Sequence, residues 1–150
     1  MMDKKVAELI DFAINEEEQA AKFYTELAGK MDKQWMKDVL LGFAREEQGH
    51  KAKLLRMKEG GKLNVRSDAE VMDLKIADYL VDVEANESLD YQGALIVAMK
   101  KEKAAFRLYS DLASIAEGEV KETFLALAQE EAKHKLRFEV EYDDKVLTEN

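Results

Sequence analysis

Two stretches decide how this chain is read: Arg45-Glu46-Glu47-Gln48-Gly49-His50-Lys51 and Gln129-Glu130-Glu131-Ala132-Lys133-His134-Lys135. They hold both histidines of a 150-residue chain, each in Glu-Glu-x-x-His. With 20 glutamates in 150 residues, chance puts Glu three before a given His about one time in eight. One such match is weak, and the flanking sequence gives the pair its weight. Around each runs an apolar stripe in the alternating three–four spacing of a packed helix. The first stripe is Met36, Leu40, Phe43, Glu47, His50, Leu54, Met57; the other is Val120, Phe124, Leu127, Glu131, His134, Phe138. Charged groups at core positions are costly unless something compensates them.

The segments before each stretch carry the same anomaly. Ile10, Ala13, Glu17, Ala20, Tyr24, Leu27, Met31 and Leu95, Ala98, Glu102, Ala105, Tyr109, Leu112 are apolar stripes with one glutamate in the middle. The halves repeat. An offset of 85 superposes Ala13 on Ala98, Glu17 on Glu102, Tyr24 on Tyr109 and Leu27 on Leu112. An offset of 84 superposes Ala44 on Ala128, Glu47 on Glu131, His50 on His134 and Lys51 on Lys135. The change of one residue falls in the turn between helices. The chain reads as a duplicated helical hairpin, roughly 4–59 and 88–142.

The spacing predicts four helices: Lys4 to Lys30; after an Asp32 N-cap to Glu59, stopped by Gly60-Gly61; Ser88–Asp90 to Glu117; and onward to Tyr142. A short helix over Val71–Val83 is expected in the long connection. The expected fold is therefore all-α: a four-helix bundle of two hairpins joined by a long crossover that contains the short helix, one domain over 1–150. Composition agrees. There is no proline, and seven glycines leave few turn signals. No cysteine is present, which excludes disulfides, thiolate catalysis and thiolate metal sites. A net charge of −9 argues against nucleic acid and anionic membranes as partners. The start lacks a signal-peptide pattern and no long apolar run appears, so a cytoplasmic protein is expected.

Residues equidistant from a hairpin turn lie side by side. The midpoint of 17 and 47 is Asp32, and that of 102 and 131 falls at Glu117-Gly118. Glu17 thus faces Glu47, and Glu102 faces Glu131, each about 15 residues from its turn, roughly 22 Å along the helix. His50 and His134 join them, because i and i+3 share a helix face. Four glutamates and two histidines meeting in an apolar interior form the ligand set of a carboxylate-bridged dinuclear metal site. Four carboxylates match the charge of two divalent cations. Oxygen-rich ligation with one imidazole per metal suits iron, or manganese. Glu47 and Glu131 are the expected bridges.

Glu17-Glu18-Gln19-Ala20 with Tyr24, Glu47-x-x-His50, Glu102-x-x-Ala105 with Tyr109, and Glu131-x-x-His134 resemble the ferritin-like di-iron carboxylate superfamily, most of all rubrerythrin-type proteins. The resemblance spans nearly the whole chain and fills all six ligand positions. It implies two non-haem iron ions and an oxidoreductase that reduces hydrogen peroxide or dioxygen. It also implies a homodimer. Rubrerythrin proper carries a cysteine-rich rubredoxin domain; with no cysteine here, electrons are expected from an external carrier such as a rubredoxin-like protein. Rubrerythrin has a further glutamate, linked to a redox-dependent iron shift, where this chain has Ala105, so that shift stays open. Gln48 stands where bacterioferritin has its haem-ligating methionine, so no haem is expected.

Other readings stand beside this one. A ferroxidase that stores iron in a shell would use the same centre, but only Asp143 to Asn150 follow the fourth helix. A metal-free binding bundle would leave four buried carboxylates repelling one another. Tyr24 and Tyr109 lie two turns from Glu17 and Glu102, where their hydroxyls could reach ligand carboxylates or simply be satisfied in the core. Glu16, Glu18, Glu46 and Glu130 are read as solvated, and Trp35 as a packing or interface residue. Lys100, Lys101 and Lys103 are read as a solvated face that could receive an acidic electron donor. The small Ala13, Ala20, Ala98 and Ala105 leave room for a diatomic molecule or peroxide rather than a large substrate.

Overall fold

A computed structural model describes residues 4–60, 74–81 and 91–144. All of its long elements are helices: α1 (Lys4–Gly29), α2 (Gln34–Gly60), α3 (Tyr91–Ile115) and α4 (Gly118–Tyr142). α1 packs against α2, and α3 against α4. This is the all-α class of two hairpins that the stripes imply. The chain divides into two compact units, 1–73 and 74–150, which follow the internal repeat.

In the first hairpin every residue of the α1 stripe is buried, from Ile10 to Met31. Burying an aliphatic side chain contributes on the order of 1.5–3 kcal/mol, which holds a helix to its partner where propensity alone would not. α1 ends in tightened i,i+3 bonds, Lys30 N–H to Leu27 C=O and Met31 N–H to Ala28 C=O. The cap of α2 differs from the expected one. Met36 and Lys37 both donate to the carbonyl of Lys33, so Lys33 takes the N-cap place and Asp32 lies one residue before it. Phe43 and Met57 are half-buried rather than core.

In the second hairpin the turn is shorter. Gly118 opens α4 at φ 64°, the one positive φ among the described residues. A glycine belongs there because a Cβ strains that conformation. Leu95, Ala98, Tyr109, Leu112, Phe124, Leu127 and Phe138 form the core; Ala105 and Val120 are half-buried. Ahead of α3, the expected short helix is a single 3-10 turn, Ile76–Tyr79, resting on α3. Tyr79 is buried, donates its hydroxyl to an Asp111 carboxylate oxygen at 2.7 Å and faces Arg107 at 6.0 Å. Burial, then the Asp111 carboxylate, pushes the Tyr79 hydroxyl far above its ordinary pKa. The rest of the expected crossover helix, the Ser88–Asp90 start of the third helix, Gly61 and the final residues to Asn150 lie outside the described residues. No described helix is long and apolar enough to cross a membrane.

Candidate metal centre

Each hairpin turns two carboxylates and one imidazole toward its interior. In the first, Glu17 comes from the middle of α1, and Glu47 and His50 from one face of α2. They are 2%, 1% and 5% exposed, a degree of burial rare for ionisable groups. His50 Nδ1 lies 3.1 Å from Glu17 Oε2 and 3.4 Å from Glu47 Oε1. One ligand atom from each of the three sits within 4.8 Å of the others. Burial alone would lower the His50 pKa, but the Glu17 and Glu47 carboxylates outweigh it and raise it to about 9. A proton thereby holds the lone pair that a cation would take.

In the second hairpin, α3 supplies Glu102, and α4 supplies Glu131 and His134, 1%, 1% and 2% exposed. Again one ligand atom from each lies within 4.8 Å of the others. His134 Nδ1 is 3.7 Å from Glu102 Oε1. Glu130 is half-buried rather than solvated, and brings an oxygen within 4.8 Å of a His134 ring nitrogen. Glu46, its counterpart in the repeat, is exposed.

Two carboxylates with one imidazole is a donor set for a hard or borderline divalent ion. The Glu17 carboxylate, within hydrogen-bond distance of His50 Nδ1, also orients that ring. Both triads therefore fit one metal ion apiece by their chemistry. Tyr24 and Tyr109 are fully buried. Tyr24 meets Phe23 and Phe43 edge-on, with centroids 5.8 and 6.2 Å apart, and Tyr109 stacks on Phe124 at 6.4 Å. Trp35 is 46% exposed at the start of α2.

One buried acid escaped the sequence reading. Glu141 is 5% exposed and accepts a 2.5 Å hydrogen bond from the Tyr91 hydroxyl. The signal was available: Glu141 follows His134 by seven residues, and so continues its stripe.

Buried carboxylate–imidazole triads on paired helices, one per repeat, make this a helical protein whose oxygen-rich clusters could hold metal ions. The Rubrerythrin family model matches residues 8–89 and 94–150, and the chain belongs to that family. No curated protein and no solved structure matches the chain.

Proposed function

We propose that this chain is a non-haem di-iron oxidoreductase of rubrerythrin type, which reduces hydrogen peroxide or dioxygen with electrons from an external carrier. The observation that carries the reading is the repeated triad: Glu17, Glu47 and His50 in one hairpin, Glu102, Glu131 and His134 in the other, all nearly inaccessible to water. Each triad brings two negative charges, so the pair balances two divalent ions as halves of one dinuclear centre. The donor set admits manganese as well as iron.

When bound, the metal pair would supply a two-electron store for cleavage of an O–O bond. The chain's own residues set the conditions. Glu47 and Glu131 would be the shared carboxylates of such a centre. His50 and His134 would be the terminal imidazole ligands. The Tyr24 and Tyr109 hydroxyls are proposed to steady ligand carboxylates. Ala13, Ala20 and Ala98 lie one turn from the α1 and α3 glutamates, all buried. Their small side chains favour a diatomic molecule or peroxide. The apolar residues beyond them keep bulk water from the reacting oxygens. The protein is proposed to act as a cytoplasmic homodimer.

The test is anaerobic titration with ferrous iron, then hydrogen peroxide, then a reduced carrier. Binding of two irons per chain, fast oxidation by peroxide and return to the ferrous state support the reading. Uptake far beyond two irons per chain would favour storage, and no uptake would remove the metal centre altogether.

A further inference from the structure

The first turn of α3 and the last turn of α4 hold a pair of side chains that the triads do not use. The Tyr91 hydroxyl donates to Glu141 at 2.5 Å, the short end of the range for a hydroxyl on a carboxylate. Tyr91 is half-buried, while Glu141 is 5% exposed. Glu131, His134, Phe138 and Glu141 follow one another at three–four spacing on the inward stripe of α4. Glu141 therefore lies on the same face as His134, seven residues or ~10 Å along the axis. Phe138, 0% exposed, comes between them on that stripe.

Packing does not call for these two residues. Val6 and Met57 hold the corresponding places in the first hairpin, and Val6 is 1% exposed, so an apolar side chain serves there. A buried carboxylate is costly, and this one sits in the last turn of a helix, where the dipole disfavours it. Tyr79 also donates to a carboxylate, that of Asp111, but the setting is different. Asp111 is half-buried and lies nine residues from Glu102, half a turn round α3, on the outward side.

A phenol that gives up an electron becomes a strong acid, and a base held in place for its proton makes that loss easy. Glu141 is such a base, shielded from water. We propose that Tyr91 is a redox-active tyrosine, with Glu141 as its proton acceptor, that supplies one electron to the metal held by Glu102, Glu131 and His134. This rests on the function proposed above. Reduction of peroxide takes two electrons, and a centre that has received only one is short by one; Tyr91 supplies it. The phenolic O–H bond breaks, the electron goes to the metal, and the proton forms a new O–H bond on Glu141. A neutral phenoxyl and a carboxylic acid remain, and the two protons that turn peroxide into two waters come from solvent. A one-electron reductant of the ascorbate class then reduces the phenoxyl, and Glu141 gives the proton back.

The experiment first uses the full chain with redox-inert zinc in the sites and flash-generated tris(bipyridine)ruthenium(III) as the one-electron oxidant. Electron paramagnetic resonance is expected to show a tyrosyl radical in the parent and about half of it or less in Tyr91→Phe. Tyr91→Val/Glu141→Met, which installs the first hairpin's apolar pair, should lose it equally, so that lost stability is not the cause. Glu141→Gln cannot take the proton, and the radical should form about a hundredfold more slowly. Tyr79→Phe should match the parent. A yield unchanged in Tyr91→Phe, or a rate unchanged in Glu141→Gln, overturns the proposal and leaves the pair a structural tie. The iron-loaded chain, reduced by one electron and mixed with hydrogen peroxide, should give the same radical within one turnover. Its absence there, where ruthenium still produces it, overturns the electron route to the metal. A chain that binds neither zinc nor iron overturns the proposed function itself, whereas one that binds both and forms no radical at Tyr91 overturns this inference alone.

Discussion

The two hairpins differ in how they hold the same three ligand types. In the first, His50 reaches both of its carboxylates, at 3.1 and 3.4 Å, and Lys51 ties α2 to Glu18 of α1 just outside the triad. In the second, Lys103 replaces Glu18, so Lys135 turns along its own helix to Glu139, and His134 stands 3.7 Å from Glu102. The difference continues toward the far ends. Val6 and Met57 of the first hairpin correspond to Tyr91 and Glu141 of the second, a part-buried hydrogen-bonded pair where the first hairpin has two apolar residues. The duplicated element thus keeps its inward chemistry and varies everything around it. The geometry of each triad is imposed by hairpin register, which both copies share.

The largest expected effect tests that equivalence directly. His50→Ala and His134→Ala each remove a proposed metal ligand, which should cost more than the 10–100-fold of an outer-shell change. Iron content by chelator assay should fall from two toward one or none per chain. Because metal binding is linked to folding, the melting temperature of the loaded protein should fall with it. Full metal content in either variant would show that its triad is not a ligand set. A marked difference between the two would mean that the tighter geometry around His50 matters.

Next come changes at the polar pair. Tyr91→Phe leaves Glu141, 5% exposed, without the hydroxyl that donates to it, and should cost about 1–3 kcal/mol in chemical denaturation. The double change Tyr91→Val/Glu141→Met installs the first hairpin's residues and should recover most of that loss, since an apolar pair leaves nothing unsatisfied. Failure to recover would show that the two ends are packed differently and that the repeat does not extend so far. Gly118→Ala should cost about 1 kcal/mol through its left-handed φ alone, because nothing stands within 4 Å of an added Cβ. The first hairpin's turn has no positive φ among its described residues, so Gly29→Ala is the neutral control.

These differences also explain what could be read in the sequence. Helix count, hairpin pairing and all six triad residues were legible because they follow from periodicity and from distance to a turn. Both are local or nearly local properties. Asp32 as N-cap was off by one, since a cap depends on where the first carbonyl turns and Lys33 takes that bond. The short helix in the crossover was overdrawn. Its apolar residues, Ile76 and Leu80 among them, fit a helical stripe, but one 3-10 turn pinned by Tyr79 to Asp111 is what lies there among the described residues. Glu130 was read as solvated from its angle on the helix, which ignores how far a long side chain can reach toward His134. Glu141 gives a weaker signal, a lone glutamate near the end of a helix with no histidine three residues on.

The smallest expected effect is the most instructive about the triads. The Glu18–Lys51 pair bridges the helices right beside Glu17 and His50, and it is tempting to credit it with placing them. Its side chains are 39% and 26% exposed, and ion pairs in water gain little against screening and lost side-chain freedom. The second hairpin answers the question by what it lacks. With Lys103 in that position, it still brings Glu102, Glu131 and His134 within 4.8 Å of one another. Glu18→Lys should therefore leave the melting temperature in moderate salt within error of the parent, and iron stoichiometry at two per chain. A loss of iron would mean that the outer tie organises the first triad after all, and the two copies would then achieve one geometry by different means.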